Sequence, residues 1–149
     1  MRRPYWIAVG TVAALFVVDR LTRSLALARP SRDLIGSVLR SEPTTNVGVA
    51  FGIPVPGPAM FAVLAVLILA VGAFGWTAFR KQQRLAWWAS VLVFTGATSN
   101  LLDRLHYGYV RDFLHLAFWP TTANLGDWMI TVGAILLLVS SLRPPPRET

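Results

Sequence analysis

Four aspartates are the residues of this 149-residue chain best placed to do chemistry: Asp19, Asp103, Asp112 and Asp127. Three of them stand at the ends of long apolar runs, where a charge costs about 2.5–3.5 kcal/mol on insertion scales and is kept for a reason. Asparagines accompany them at Asn46, Asn100 and Asn124. Asn100 is one helical turn before Asp103, and Asn124 is three residues before Asp127, so each amide shares a face with a carboxylate. The chain has no cysteine, which excludes thiolate nucleophiles, disulfides and cysteine metal sites. His106 and His115 are its only imidazoles, without metal-ligand spacing, and no phosphate-binding glycine loop is present. Neither a metal nor a cofactor is expected. What remains is hydrolysis by two carboxylates that share a proton. One takes a proton from water as it attacks a carbonyl, and the other stabilises the developing oxyanion.

The elements that position these groups are apolar. Charged residues make up 14% of the chain and hydrophobic ones 54%, where a soluble domain carries about 25% charged residues. The net charge of +7 comes from scattered basic residues with no basic helix face, so nucleic acid is not expected as a partner. Four apolar blocks predict transmembrane helices over residues 5–27, 57–79, 85–103 and 125–142, within a single domain of residues 1–149. Most of the six tryptophans lie at block edges, as an aromatic belt requires. The fold class expected is an all-α membrane protein. It is a four-helix bundle with a small extracytoplasmic strand-and-turn element in Arg29–Pro56, where Ile35–Leu39 alternates weakly. Arg2, Arg3, Arg143, Arg147 and the Arg80–Arg84 turn crowd basic charge beside the spans on one side. Both termini are therefore placed in the cytoplasm. A cleavable leader ending at Ala26-Leu27-Ala28 is the rival reading, and Asp19, Arg20 and Arg23 argue against it by interrupting the apolar run.

Asp19 ends the first block after about 21 Å of helix, and Asp127 precedes a similarly short last block. With Asp103 at the end of the third, three helices bring carboxylates to one plane at the outer membrane edge. Position alone favours Asp103 with Asp127 as the working pair. The bland alternative makes these helix-end charges paired with arginines, Asp19 with Arg20 or Arg23 and Asp103 with Arg104. A proton- or ion-conducting bundle would instead spread its carboxylates through the membrane depth.

Five stretches resemble lipoprotein signal peptidases (signal peptidase II), in order along the chain. Asp19–Arg23 resembles the family's Asp-x-x-Thr-Lys, with arginine in place of lysine. Asn46-Val47-Gly48-Val49-Ala50-Phe51 resembles Asn-x-Gly-x-Ala-Phe. Thr95–Arg104 resembles Gly-Gly-Ala-x-Gly-Asn-x-x-Asp-Arg, with Thr95 and Ser99 for glycines. Gly108–Phe113 resembles Gly-x-Val-x-Asp-Phe, and Ala123–Asp127 resembles Phe-Asn-x-Ala-Asp, with Gly126 for alanine.

The resemblance implies a divergent aspartic endopeptidase that removes signal peptides from diacylglyceryl-modified prolipoproteins by cutting before the lipidated cysteine. It moves the catalytic assignment to Asp112 and Asp127, which requires the Gly108–Phe113 loop to fold back onto Asp127. Asp103 and Arg104 become supports for dyad and substrate. Asn46, Asn100 and Asn124 bind peptide or position the dyad, Gly48 serves the turn beside Asn46, and Asp19 is structural. The partners implied are the prolipoprotein and membrane lipids, and the enzyme is expected to be a monomer. It would lie in the bacterial cytoplasmic (inner) membrane with its site at the outer face. A non-catalytic lipoprotein-binding or assembly protein on the same scaffold is the alternative. Phe113, Leu114, Leu116, Phe118 and Trp119 are expected to anchor the last connection in the headgroups.

Overall fold

The structure is a computed structural model that describes residues 3–48 and 57–142. Val49, Ala50 and Phe51 of the second family-like stretch lie outside the described residues, as do Arg2, Arg143 and Arg147 of the charge argument. The elements in order are α1 (Arg3–Leu27), β1 (Arg32–Ile35), β2 (Leu39–Asn46), α2 (Gly57–Arg80), α3 (Arg84–Tyr107), β3 (Val110–Leu116), β4 (Thr122–Ala123) and α4 (Leu125–Ser141).

Each helix follows an apolar run, and its ends have local causes. Pro58 sits in the first turn of α2, where its missing N–H breaks no helical bond. Gly108 stops α3 with φ 82°, and its N–H bonds to the Arg104 carbonyl, a left-handed cap that favours glycine. α3 is the central helix and packs against α1, α2 and α4. Close approach comes from small residues. A Cβ on Gly75 of α2 would sit 2.9 Å from the Ser90 Cβ, and one on Gly133 of α4 would sit 2.8 Å from the Ala89 carbonyl oxygen. Gly96 faces the Gly126 backbone with no room for a methyl group.

Polarity is inverted relative to a water-soluble core. Asp19, Arg23, Ser99, Asp103 and Asn124 are 0% exposed, whereas Val66, Leu69 and Trp76 of α2 are 64%, 71% and 56% exposed. An apolar exterior around a charged interior belongs in lipid. α2 and α3 are long and apolar enough to cross a membrane, and α4 is a shorter apolar helix.

The fold is mostly helical, and the strand element expected between the first two helices is part of a larger four-stranded antiparallel sheet in the order β1-β2-β3-β4. The sequence pattern predicts strands only between the first two helices, yet β3 and β4 come from the connection between α3 and α4. Most of β3 is buried without alternation, because α1 and α3 also pack against it, so it lacks the half-buried period of two. His106 lies in the last turn of α3 and His115 in β3. The β2–β3 ladder pairs Leu39 with Leu116 and Thr44 with Asp112, and it slips between Ser41 and Thr44. Pro43, which has no N–H to give the ladder, falls in that slip. Beyond it, the register sets Asp112 beside the end of β2 that carries Asn46.

Candidate active site

Asn124 is the residue around which the site is built. As N-cap of α4, its side chain accepts the Asp127 N–H at 3.0 Å, while the Asp127 carboxylate accepts the Asn124 N–H at 3.1 Å. This reciprocal capping box fixes both side chains by local sequence alone. The Asn124 Nδ2 then points across to β3 and donates to Asp112 Oδ1 at 2.5 Å. One asparagine thus holds both carboxylates. Asn100 of α3 donates to Asp127 Oδ1 at 2.7 Å. Asp112 is 2% exposed, while Asp127 is more open.

Burial pushes the Asp112 carboxyl up to about 6, and the negative charge of Asp127 adds to the rise. Hydrogen bonds from Asn124 and Asn46 and the positive charge of Arg23 oppose it. A carboxyl whose proton affinity is raised towards neutrality beside a second carboxylate is the arrangement acid–base hydrolysis needs.

Asp103 has a different environment. Arg20 Nη1 reaches its Oδ1 at 2.7 Å, Arg23 Nη1 its Oδ2 at 2.8 Å, and Arg111 Nη2 its Oδ1 at 2.8 Å. The Arg111 backbone N–H adds a bond at 3.0 Å. Fully buried and surrounded by three guanidiniums, Asp103 has no face left for water, which removes the positional pairing of Asp103 with Asp127. Its arginines are Arg20, Arg23 and Arg111 rather than Arg104. Asp19 accepts from Arg23 Nε at 2.8 Å and from the Gly126 N–H at 3.0 Å, and it also takes the Ser99 hydroxyl. It ties α1 to α3 and to the first turn of α4.

Arg104 is buried. It donates to the Gly48 carbonyl oxygen and, at 3.3 Å, to the Asn100 carbonyl oxygen, while its Nε has no partner among the described residues. The Gly48 N–H bonds to Asn46 Oδ1 at 3.0 Å, closing a turn over Arg104. Every site residue expected from the sequence therefore enters one cluster: Asp19, Asn46, Gly48, Asn100, Asp103, Arg104, Asp112, Asn124 and Asp127. The cluster occupies one level, where a conducting bundle would spread its carboxylates through the depth.

Four participants are not singled out by the sequence as site residues. Arg23, Arg111, Arg20 and Ser99 all bind the buried carboxylates. The Asp19–Arg23 spacing of i,i+4 is a legible hint, but the distant partners of Arg23 are not.

The profile of the family described as Signal peptidase (SPase) II matches residues 11–143. The chain belongs to the signal peptidase II family. A lipoprotein signal peptidase of Syntrophomonas wolfei is 37% identical over 145 residues, covering 93% of this chain and 95% of that one. Those of Solibacter usitatus and Burkholderia vietnamiensis are 33% and 35% identical, and each alignment covers 93% of this chain, with 92% and 87% of the relative. Two solved structures of bacterial membrane enzymes, determined by the in meso method, share the fold. One superposes with a TM-score of 0.81 at 21% identity, covering 96% of this chain and 94% of that one. The other has a TM-score of 0.79 at 23% identity, covering 92% and 93%. As a signal peptidase II, the protein is a membrane protease. The carboxylate cluster is where its buried aspartates and asparagines converge.

Proposed function

We propose that the protein is an aspartic endopeptidase that removes signal peptides from diacylglyceryl-modified prolipoproteins, with Asp112 and Asp127 as its catalytic pair. The observation that carries this reading is the single asparagine that holds both carboxylates, one of them buried and inclined to keep its proton. Asp127, more open and bonded by two N–H donors, takes a proton from water as its oxygen attacks the carbonyl preceding the lipidated cysteine. Asp112 gives its proton to the carbonyl oxygen as it becomes a hydroxyl. Collapse of the tetrahedral intermediate breaks the C–N bond: one hydroxyl returns its proton to Asp112 as the carbonyl reforms, and the proton held by Asp127 passes to the leaving amine. Arg104, whose Nε has no partner among the described residues, and Asn46 with Gly48 face the substrate backbone. Asn100 and Asn124 orient the pair, and Asp19 and Asp103 brace the helices.

All four helices cross the membrane in this reading, with the termini in the cytoplasm and the site at the outer face of the inner membrane. Substrate arrives laterally with its acyl chains in lipid, and the enzyme works as a monomer. A non-catalytic lipoprotein-binding role has no observation in its favour, since every carboxylate and asparagine of the cluster is in place.

The test is signal-peptide release from a diacylglyceryl prolipoprotein by the purified protein, read by gel shift. Asp112→Asn and Asp127→Asn should each lose about a thousandfold in rate with substrate still bound. Full activity in either variant would remove that residue from the pair, and binding without turnover by the wild type would favour the non-catalytic role.

A further inference from the structure

We propose that Arg23 is a positioning residue for the reaction: its Nη2 turns the amides of Asn100 and Asn124 so that their NH2 groups face Asp127 and Asp112, and Gly126 is the space this guanidinium occupies. The inference rests on the proposed Asp112–Asp127 pair and adds what orients it.

An asparagine amide is nearly symmetric in shape, so its surroundings decide which end is oxygen. Nη2 of Arg23 can only donate, and it reaches Asn100 Oδ1 at 2.7 Å and Asn124 Oδ1 at 2.8 Å. With both oxygens so engaged, Nδ2 of Asn100 meets Asp127 and Nδ2 of Asn124 meets Asp112. A flipped amide would aim oxygen at a carboxylate, which is tolerable only if that carboxyl is protonated. The orientation of these amides therefore sets how readily the pair ionises. Asn124 has a second determinant, the Asp127 N–H on its Oδ1. Asn100 Oδ1 has no second side-chain donor among the described residues, so it depends more heavily on Arg23.

The guanidinium is itself locked. Nε binds Asp19 at 2.8 Å, and Nη1 binds Asp103 at 2.8 Å and the Arg111 carbonyl oxygen at 3.3 Å. All of its N–H groups are used and the side chain is 0% exposed. A Cβ on Gly126 would lie 2.9 Å from Arg23 Nη2, 2.9 Å from Asn124 Oδ1 and 3.1 Å from Asn100 Oδ1. Those three atoms are the junction itself. The charged groups around the pair are Asp19, Arg20 and Arg23 of α1, Asp103 and Arg104 of α3, and Arg111 of β3. Thr44 and Asn46 on β2 are neutral. Among these, Arg23 alone contacts both asparagine side chains.

The experiment measures kcat, KM and the pH profile on lipidated prolipoprotein for Arg23→Met, Arg23→Lys, Gly126→Ala and the Arg23→Lys/Gly126→Ala double variant, beside Asp112→Asn. Arg23→Met should lower kcat about a hundredfold with KM little changed, and move the acid limb upward by about one pH unit, because the carboxylates lose oriented donors and a positive charge. Arg23→Lys, which keeps the charge but cannot reproduce the fork that binds both asparagines, should fall between wild type and Arg23→Met. Gly126→Ala should cost about tenfold in kcat alone and clearly less on top of Arg23→Lys, whose shorter head removes one of the three close contacts of the methyl. A folded Arg23→Met protein with the wild-type acid limb overturns the proposal, and so do strictly additive losses in the Arg23→Lys/Gly126→Ala cycle. If Arg23→Met does not fold, that cycle decides. Cleavage by Asp112→Asn would instead overturn the pair on which the inference rests, whereas an inactive Asp112→Asn with additive Arg23 and Gly126 effects overturns only the positioning role.

Discussion

Asp112 has a folding cost that its proposed role explains. Its carboxyl rises from an ordinary 3.8 to about 6 because burial and the Asp127 charge both oppose ionisation. A folded-state value above the unfolded one means the native protein binds the proton more tightly. The stability this contributes is complete below about pH 4 and is lost as pH rises through about 6, a swing of about 3 kcal/mol. Asp112→Asn should therefore be inactive yet more resistant to heat than the wild type above pH 6, with the advantage closing towards pH 4. Thermal unfolding in detergent across that range checks it, and an advantage independent of pH would remove the ionisation argument. Asp103→Asn should do the reverse at neutral pH. Removing a buried carboxylate from three guanidiniums leaves unpaired charge and costs about 3–5 kcal/mol, so its melting temperature should fall well below that of the wild type.

Elements bring these residues together through the α3–α4 contact. Gly96 of α3 lies against the Gly126 backbone, and a Cβ there would collide with the Gly126 carbonyl oxygen, which cannot rotate away. Gly96→Ala should cost about 1–3 kcal/mol by overpacking. It should also lower activity in the protein that remains folded, since the displaced turn carries Asp127. Gly10→Ala is the control: a Cβ added there, on exposed α1, would meet nothing within 4 Å, so melting temperature and activity should hold. An equal loss in both variants would show that helix composition matters here and packing does not. The same elements show what the sequence could tell. The four apolar blocks are helices because hydrophobic length is a local property. β3 was not legible, because Arg111 and Asp112 interrupt its apolar residues and their partners lie on α3 and α4. Asn124 and Asp127 could be associated from their spacing, but bringing Asp112 to them rested on family resemblance. The sequence offers Asp19 as a partner for Arg23, but its asparagine partners are 77 and 101 residues away.

At the scale of the whole molecule, the sheet and the α2–α3 turn mark opposite ends. α2 leaves the sheet side and runs 24 residues to Arg80, and α3 returns over another 24 to Tyr107. Each path is about 36 Å long, more than a hydrocarbon core of about 30 Å. The turn joining them carries Arg80, Lys81 and Arg84, the composition retained on the cytoplasmic side. In the proposed orientation the sheet, with the carboxylate cluster beside it, faces outward. Because the chain contains no cysteine, single introduced thiols report sidedness without background. Ser37→Cys in the exposed β1–β2 turn should react with a membrane-impermeant maleimide on intact cells. Lys81→Cys, equally exposed, should react only after the membrane is opened. The opposite pattern would invert the orientation and place the site in the cytoplasm. Labelling of both thiols on intact cells would mean that α2 and α3 do not carry the chain across and back, and the lateral route for a lipid-anchored substrate would fall with them.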